Sequence, residues 1–205
     1  MKRANFSTAA LSAALLFSLA APSTLTAQDW AKARLDVSSR HHEYVSLKHG
    51  NRTLQAFVVY PEVKTKAPVV ILIHEIFGLS DWAKEMADKL AAQGFIVVAP
   101  NYAGYDVSSL PYHPYLNGAQ QSGDMMDALS AARTALPTTF ASSTSDNGQL
   151  LVTGYSQGGY VALRTVQALQ AAGQTVTAAA PARPRMPRVR LWCRPAAPYA
   201  AAHGP

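Results

Sequence analysis

An α/β fold, built on a mostly parallel sheet with an antiparallel hairpin at its N-terminal end, is what this 205-residue sequence predicts. Three observations carry that reading. Continuous apolar runs rich in β-branched residues recur at "APVVILIHE" (67–75), "FIVVAP" (95–100) and "QLLVTG" (149–154), as suits strands buried on both faces of a parallel sheet. Stretches with helical spacing of apolar residues lie between them. The first two runs and the helix between them form a βαβ unit, whose crossover is almost always right-handed.

The elements follow in order. Lys2 and Arg3, an apolar run over 9–21 and the small and polar "PSTLTA" predict a secretory signal over 1–27, cleaved after Ala27, and hence a periplasmic or secreted protein. The alternative is an uncleaved anchor, but the run is shorter than the roughly 20 residues a span needs, so no stable membrane insertion is expected after cleavage. Cys193 is the only cysteine and cannot form a disulfide within the chain. Residues 28–40 read as a linker. In "HHEYVSLKHGNRTLQAFVVYPE" the alternation of Val45 and Leu47 with Tyr44, Ser46 and Lys48 predicts a hairpin with its turn near His49–Arg52.

The strand at 67–75 is followed by a helix in "SDWAKEMADKLAAQG", capped by Ser80 or Asp81, with Trp82, Met86 and Leu90 on one side and Gly94 at its end. After the strand at 95–100, residues 101–116 form an aromatic, proline-containing loop. Residues 120–136 are helical, "PTTFASSTSDNG" is a polar loop, and 157–172 form a helix with Arg164, Gln167 and Gln170 on its polar side. "QTVTAAA" (174–180) is expected to start a fourth parallel strand. Pro, Arg and Ala then fill 17 of the 25 positions 181–205, and repeated proline blocks both helix and ladder. The expected organisation is an incomplete domain over 41–180 with its C-terminal part truncated, and a tail over 181–205.

Charge follows that division. The net charge is +6. Six of the 18 Lys and Arg, and none of the 12 Asp and Glu, lie beyond residue 160, so residues 1–160 are neutral in sum. A basic balance confined to one end gives no reason to expect nucleic acid binding, which needs a basic patch on a folded surface. The tail as a polyanion- or membrane-binding arm is a weaker reading, because the basic blocks of such arms are usually denser.

"LLVTGYSQGGYVAL" (150–163) carries Gly154-Tyr155-Ser156-Gln157-Gly158 between a strand and a helix. Gly-x-Ser-x-Gly in that context presents a nucleophilic serine on a strained turn, and the glycines let backbone and helix approach closely. The helix N-terminus adds free N–H groups and partial positive charge near a developing oxyanion, with Gln157 N–H as one donor. The second site is "IHEIFG" (73–78), at the C-terminal end of the first parallel strand, where ligands gather in open α/β sheets. A backbone N–H in this loop can supply the second donor. Glu75 reads either as a loop carboxylate in a local hydrogen bond or as an active-site group near Ser156.

"APVVILIHEIFGLSDWAKEMADKLAAQGFIVVAP", with the hairpin before it, resembles the dienelactone hydrolase family of the α/β-hydrolase superfamily over roughly residues 41–100. His74-Glu75-Ile76-Phe77-Gly78 is its most specific motif. The resemblance implies an α/β-hydrolase fold, contact between Glu75 and the resting nucleophile, and Ile76 N–H in the oxyanion hole. That family commonly has a cysteine nucleophile where this chain has Ser156. Residues from about 97 to 181 look closer to secreted lipase- and esterase-like α/β hydrolases. If the two parts were badly joined near "GFIVVAP", the first strands would fail to pair in register with the later ones.

In this superfamily the order is nucleophile, acid, histidine. The histidine takes the serine proton and the acid orients it. No Asp or Glu follows Ser156, and His203, third from the end, is the only later histidine. His74, Asp106 and His113 are the candidates for a substitute triad. His41-His42 has no partner at metal-ligand spacing. Arg, Pro and Ala have GC-rich codons, so an out-of-frame segment from about residue 181 is one expected origin of the tail. The expected function is a secreted serine hydrolase of small carboxylic esters or lactones, with no metal or organic cofactor implied. Its activity is expected to be weak or absent without the acid and histidine, and the rival is a non-catalytic remnant of such an enzyme. Tyr102, Tyr105, Tyr112 and Tyr115 suggest a modest apolar substrate, or alternatively lid packing.

Overall fold

The computed structural model describes residues 29–49, 52–108, 110–140 and 142–182. The expected signal segment and the Pro/Arg/Ala stretch beyond Ala182 lie outside the described residues. The described elements are α1 (Asp29–Asp36), β1 (His42–His49), β2 (Arg52–Val59), β3 (Lys66–Ile73), α2 (Asp81–Ala92), β4 (Ile96–Pro100), α3 (Gly118–Thr138), β5 (Ser145–Tyr155), α4 (Gln157–Ala171) and β6 (Ala178–Ala182).

One sheet runs in the order β1-β2-β4-β3-β5-β6. β1 and β2 form the expected antiparallel hairpin, closing at His49↔Arg52. β2 meets β4 antiparallel, and β4, β3, β5 and β6 are mutually parallel. β3 pairs with β4 on one side and with β5, through Ile73↔Gly154, on the other. The sheet is therefore continuous across "GFIVVAP", which speaks against a bad join there.

Alternation along the strands buries both faces. Val69, Ile71, Ile73, Ile96 and Val98 pack with Met125, Leu129, Val161 and Leu169 from α3 and α4. Val97, Ala99, Phe57 and Val59 pack with Ala87 and Ala91 from α2. In α2 the fully buried face is an alanine stripe, Ala83, Ala87 and Ala91, and of the side expected to carry Trp82, Met86 and Leu90, Leu90 also packs against that cluster. Small side chains let the helix lie close to the strands, while the larger ones border a groove beside it. Ser80 caps the helix by accepting from Ala83 N–H.

Residues 29–40, expected as part of a linker, instead contain a helix that packs on the domain. α1 packs on α2, and its Arg34 meets the buried Glu85 at 3.1 Å. Asp88, almost fully buried, then collects the chain that follows: Ser38 Oγ at 2.7 Å, Arg40 Nε at 2.8 Å and Nη2 at 2.5 Å, and His42 Nε2 at 2.9 Å. The signal for this segment was long-range charge pairing, which local periodicity does not reveal. β6 also differs from expectation. It spans 178–182 and contains Pro181, tolerated because β6 is an edge strand among the described residues.

Asp88 generates a stability prediction. Burial works against its ionisation, but the hydrogen bonds from Arg40, His42 and Ser38 together hold its carboxyl at about 2. The folded state thus binds a proton later than the unfolded one, and the stabilisation is present above about pH 4 and lost as pH falls through about 2. Asp88→Asn is expected to cost about 3 kcal/mol near neutrality and to flatten the stability curve across that acid window. Urea denaturation at a series of pH values reads both.

Candidate active site

β5 ends at Tyr155 and α4 begins at Gln157, so the chain reverses at Ser156. Its backbone sits at φ 57°, ψ −116°, a conformation that costs an L-residue on the order of 1–3 kcal/mol. The surroundings enforce it. Ser156 N–H donates to Ala182 O of β6 at 2.9 Å, and Gly159 N–H donates to Ser156 O at 3.1 Å. A Cβ on Gly154 would stand 2.3 Å from Gly158 O, and one on Gly158 would stand 2.1 Å from Ile73 O and 2.5 Å from His74 O. Both expected elbow glycines are thus sites of close backbone approach. Gly159 is a third, with Ala182 O at 2.5 Å from its would-be Cβ. The doubled glycine in "SQGG" was its only sequence signal.

The same contacts bring the elbow against the loop after β3. Gln157 N–H and Ile76 N–H, the two expected oxyanion donors, make no hydrogen bond among the described residues, and Ser156 N–H is occupied by β6. Glu75 is buried and does not hydrogen-bond to Ser156. Its Oε2 accepts from Phe77 N–H at 3.3 Å, the local bond of the two alternatives. Burial raises its pKa, and the Phe77 N–H partly opposes this. Ile76 and Phe77 are exposed beside it.

The candidate substitute triad is not assembled. His74 is buried, with Nδ1 at 2.7 Å from Glu75 O and Nε2 at 3.0 Å from Asn101 Oδ1. Burial lowers its pKa to about 4 against the opposing pull of those two bonds. The neutral ring holds one proton, so it can donate to only one of these two acceptors at a time. Asn101 Oδ1 also accepts from Tyr102 N–H at 3.0 Å, and its Nδ2–H donates to Asp106. His113 donates from Nδ1 to Ala103 O at 3.0 Å, and its Nε2 lies 2.7 Å from Gln157 Nε2. Neither ring reaches Ser156 Oγ, and Asp106 is bonded to Asn101 and not to a histidine. His41 and His42 pair with Glu62 and Asp88.

The aromatic loop is a scaffold for these groups. Tyr102 OH donates to His74 O at 2.8 Å, and Tyr105 OH donates to Ile76 O. Tyr102 is fully buried, whereas Tyr112 and Tyr115 are exposed. Asn101 was not among the expected site residues, and Tyr102 was expected only as substrate or lid packing. Their signal was position alone, immediately past the C-terminal end of β4. A cavity of about 510 Å³ lies on the α2 side of the sheet, lined by Trp82, Met86, Leu90, Leu72, Tyr155 and Ala182 among others. Gly154, Tyr155 and His74 also line it, so it reaches the strand side of the elbow, although Ser156 and Ile76 are not in its wall.

A mostly parallel sheet with a strained serine between strand and helix, packed against the loop after its central strand, defines an α/β hydrolase. The model of the dienelactone hydrolase family matches residues 54–195, and the chain belongs to that family. The match spans both parts of the chain and runs past the last described residue. Among solved structures, the chain is similar to a point mutant of the rice cell wall degrading esterase LipA from Xanthomonas oryzae: 26% identity, TM-score 0.58, covering 68% of this chain and 41% of that one. It is also similar to a dienelactone hydrolase-like promiscuous phosphotriesterase from metagenomic libraries: 25% identity, TM-score 0.55, covering 69% and 58%. The chain spans about half the length of these structures.

Two glycines separate elbow geometry from general stability. Gly158→Ala is expected to cost about 2 kcal/mol or more, because two backbone carbonyls occupy the space of the new methyl. Gly123→Ala, in α3 with open space at its Cβ, is expected to stabilise by about 0.5–1 kcal/mol. Thermal and urea denaturation of the pair checks both signs. His74 adds a pH dependence: its ring takes a proton near 6.5 when unfolded but near 4 when folded, so the fold is expected to lose stability as pH falls across that interval.

Proposed function

We propose that this chain is a secreted serine hydrolase of small carboxylic esters or lactones, with Ser156 as nucleophile. The observation that carries the reading is the elbow: a serine at positive φ, held by glycine-only clearances, beside two unengaged N–H groups. Ser156 Oγ attacks the substrate carbonyl carbon, and as the tetrahedral intermediate collapses the C–O leaving-group bond breaks and the serine proton ends on the leaving alcohol oxygen. Ile76 N–H and Gln157 N–H hold the developing oxyanion. Water then releases the acid and restores Ser156. The family and the esterase and phosphotriesterase relatives support an ester-type substrate. Export rests on residues 1–27 alone. Among the described residues no helix is long and apolar enough to cross a membrane.

A second reading has its own observation. His74 and His113 are both committed to other partners, so among the described residues no histidine near the elbow is free to take the serine proton. The chain then keeps the elbow and oxyanion hole of a hydrolase without its base, a non-catalytic remnant.

A fluorophosphonate probe discriminates the two. For an active hydrolase, the folded protein is expected to be labelled at Ser156, with labelling abolished in Ser156→Ala. Folded protein that stays unlabelled, as judged by mass spectrometry of the intact chain, favours the non-catalytic reading.

A further inference from the structure

His74 and His113 flank the elbow, yet neither has a ring nitrogen available to Ser156. We propose that they are positioning residues of the oxyanion hole: His74 fixes the peptide that presents Ile76 N–H, and His113 fixes the residue that presents Gln157 N–H. The proposal rests on the reading of Ser156 and its two donors given above. It assigns the histidines a role other than the base that their chemistry first suggests.

The case for His74 is one of peptide geometry. Glu75 C=O and Ile76 N–H belong to the same peptide unit, and in a trans peptide the two bonds point in opposite directions. His74 Nδ1, 2.7 Å from Glu75 O, therefore sets the direction of Ile76 N–H by gripping the other end of its plane. Two phenols hold the neighbouring carbonyls: Tyr102 OH on His74 O and Tyr105 OH on Ile76 O. Three consecutive carbonyls of the loop are thus fixed, and its N–H at Ile76 is left for a ligand.

The case for His113 is one of anchorage. Gln157 is the first residue of α4, where no hydrogen bond of the preceding turn ties the backbone N–H. Its side chain is instead buried, 3% exposed, and its amide meets His113 Nε2 at 2.7 Å. Ala103 O can only accept, so the His113 proton sits on Nδ1 and Nε2 accepts from the Gln157 amide. Gln157 Oε1 has no partner, which leaves His113 as the sole polar anchor of that side chain among the described residues. The ring is itself fixed, with centroids 5.1 Å from Tyr102 and 4.7 Å from Tyr105. Gly104, at φ +89°, lets the loop fold back: a Cβ there would stand 2.2 Å from Tyr112 O and 2.7 Å from His113 Cα.

His113→Phe keeps a ring between the tyrosines and removes the acceptor; His113→Gln restores one. Fluorophosphonate labelling is resolved into its maximal rate and its half-saturating concentration, and the amide ¹H–¹⁵N resonances of Ile76 and Gln157 are followed in each folded variant. In His113→Phe the maximal rate is expected to fall about tenfold or more, since small displacements of such groups are costly, with half-saturation unchanged within about twofold. The Gln157 resonance moves, and His113→Gln recovers both. His74→Phe likewise moves the Ile76 resonance, while His74→Asn, which keeps a donor near the Nδ1 position, moves it less. If His113→Phe does not fold, Gln157→Met removes the same bond from the other side and keeps the backbone N–H. Unchanged rates with unmoved resonances overturn the proposal. A wild-type protein that is never labelled removes the hydrolase reading alone. The resonances then decide: movement in His113→Phe upholds the anchorage, and none overturns it.

Discussion

The site depends on how closely three backbones approach one another at the C-terminal end of the parallel strands. Ser156 reverses the chain where β3, β6 and the first turn of α4 converge, and the carbonyls of Ile73, His74 and Ala182 fill the space that side chains at 158 and 159 would need. A strained serine persists only where its surroundings over-determine it. Here the N–H of Ser156 is tied to β6 and its carbonyl to Gly159. That convergence also sets the loop after β3 beside the helix N-terminus, so strain, close packing and a pair of free N–H donors share one origin.

Around this point the molecule is held by two different kinds of interaction. The α3 and α4 side is apolar packing, continuous from Leu54 on β2 to Leu169 on α4. The α2 side is thinner, an alanine stripe on Phe57, Val59 and Val97, and the segment preceding β1 reinforces it through charge. Asp88 and Glu85 are acids placed on the inner part of a helix, a costly position unless each is paired. Arg34, Arg40 and His42 supply the pairs. The groove lined by Trp82, Met86 and Leu90 runs beside that stripe and shares Ala83 with it.

Much of this was legible in the residues. The apolar runs at 69–73 and 96–99 identified strands buried on both faces, and Gly154, Ser156 and Gly158 identified the elbow, because both signals are local: a period, or a spacing fixed by one turn. What was not legible was set by partners distant in sequence. Residues 29–36 have weak helical amphipathicity, and their fold depends on Glu85. Trp82, Met86 and Leu90 share one side of α2 by spacing, yet the fully buried residues there are the alanines one position on, with Leu90 packed against the same cluster. His74, Asp106 and His113 had the residue types of a triad, but Asn101, Ala103 and Gln157 compete for their polar atoms.

The anchoring of Ser156 on Ala182 has a consequence for the order in which the molecule matures. The parts of the site come from the loop after β3, the loop after β4, the start of α4 and the end of β6, the last described strand. The longest of these closures, Ile73 on β3 against Gly154 on β5, must overcome the entropy of the whole intervening chain, whereas Ser156 and Ala182 are joined by a single helix and its flanking turn. A chain in which β3, β4 and β5 have already paired still lacks the acceptor for Ser156 N–H until β6 docks. The elbow therefore acquires its geometry only once β6 has docked, and the state of Ser156 reports whether that strand is in place.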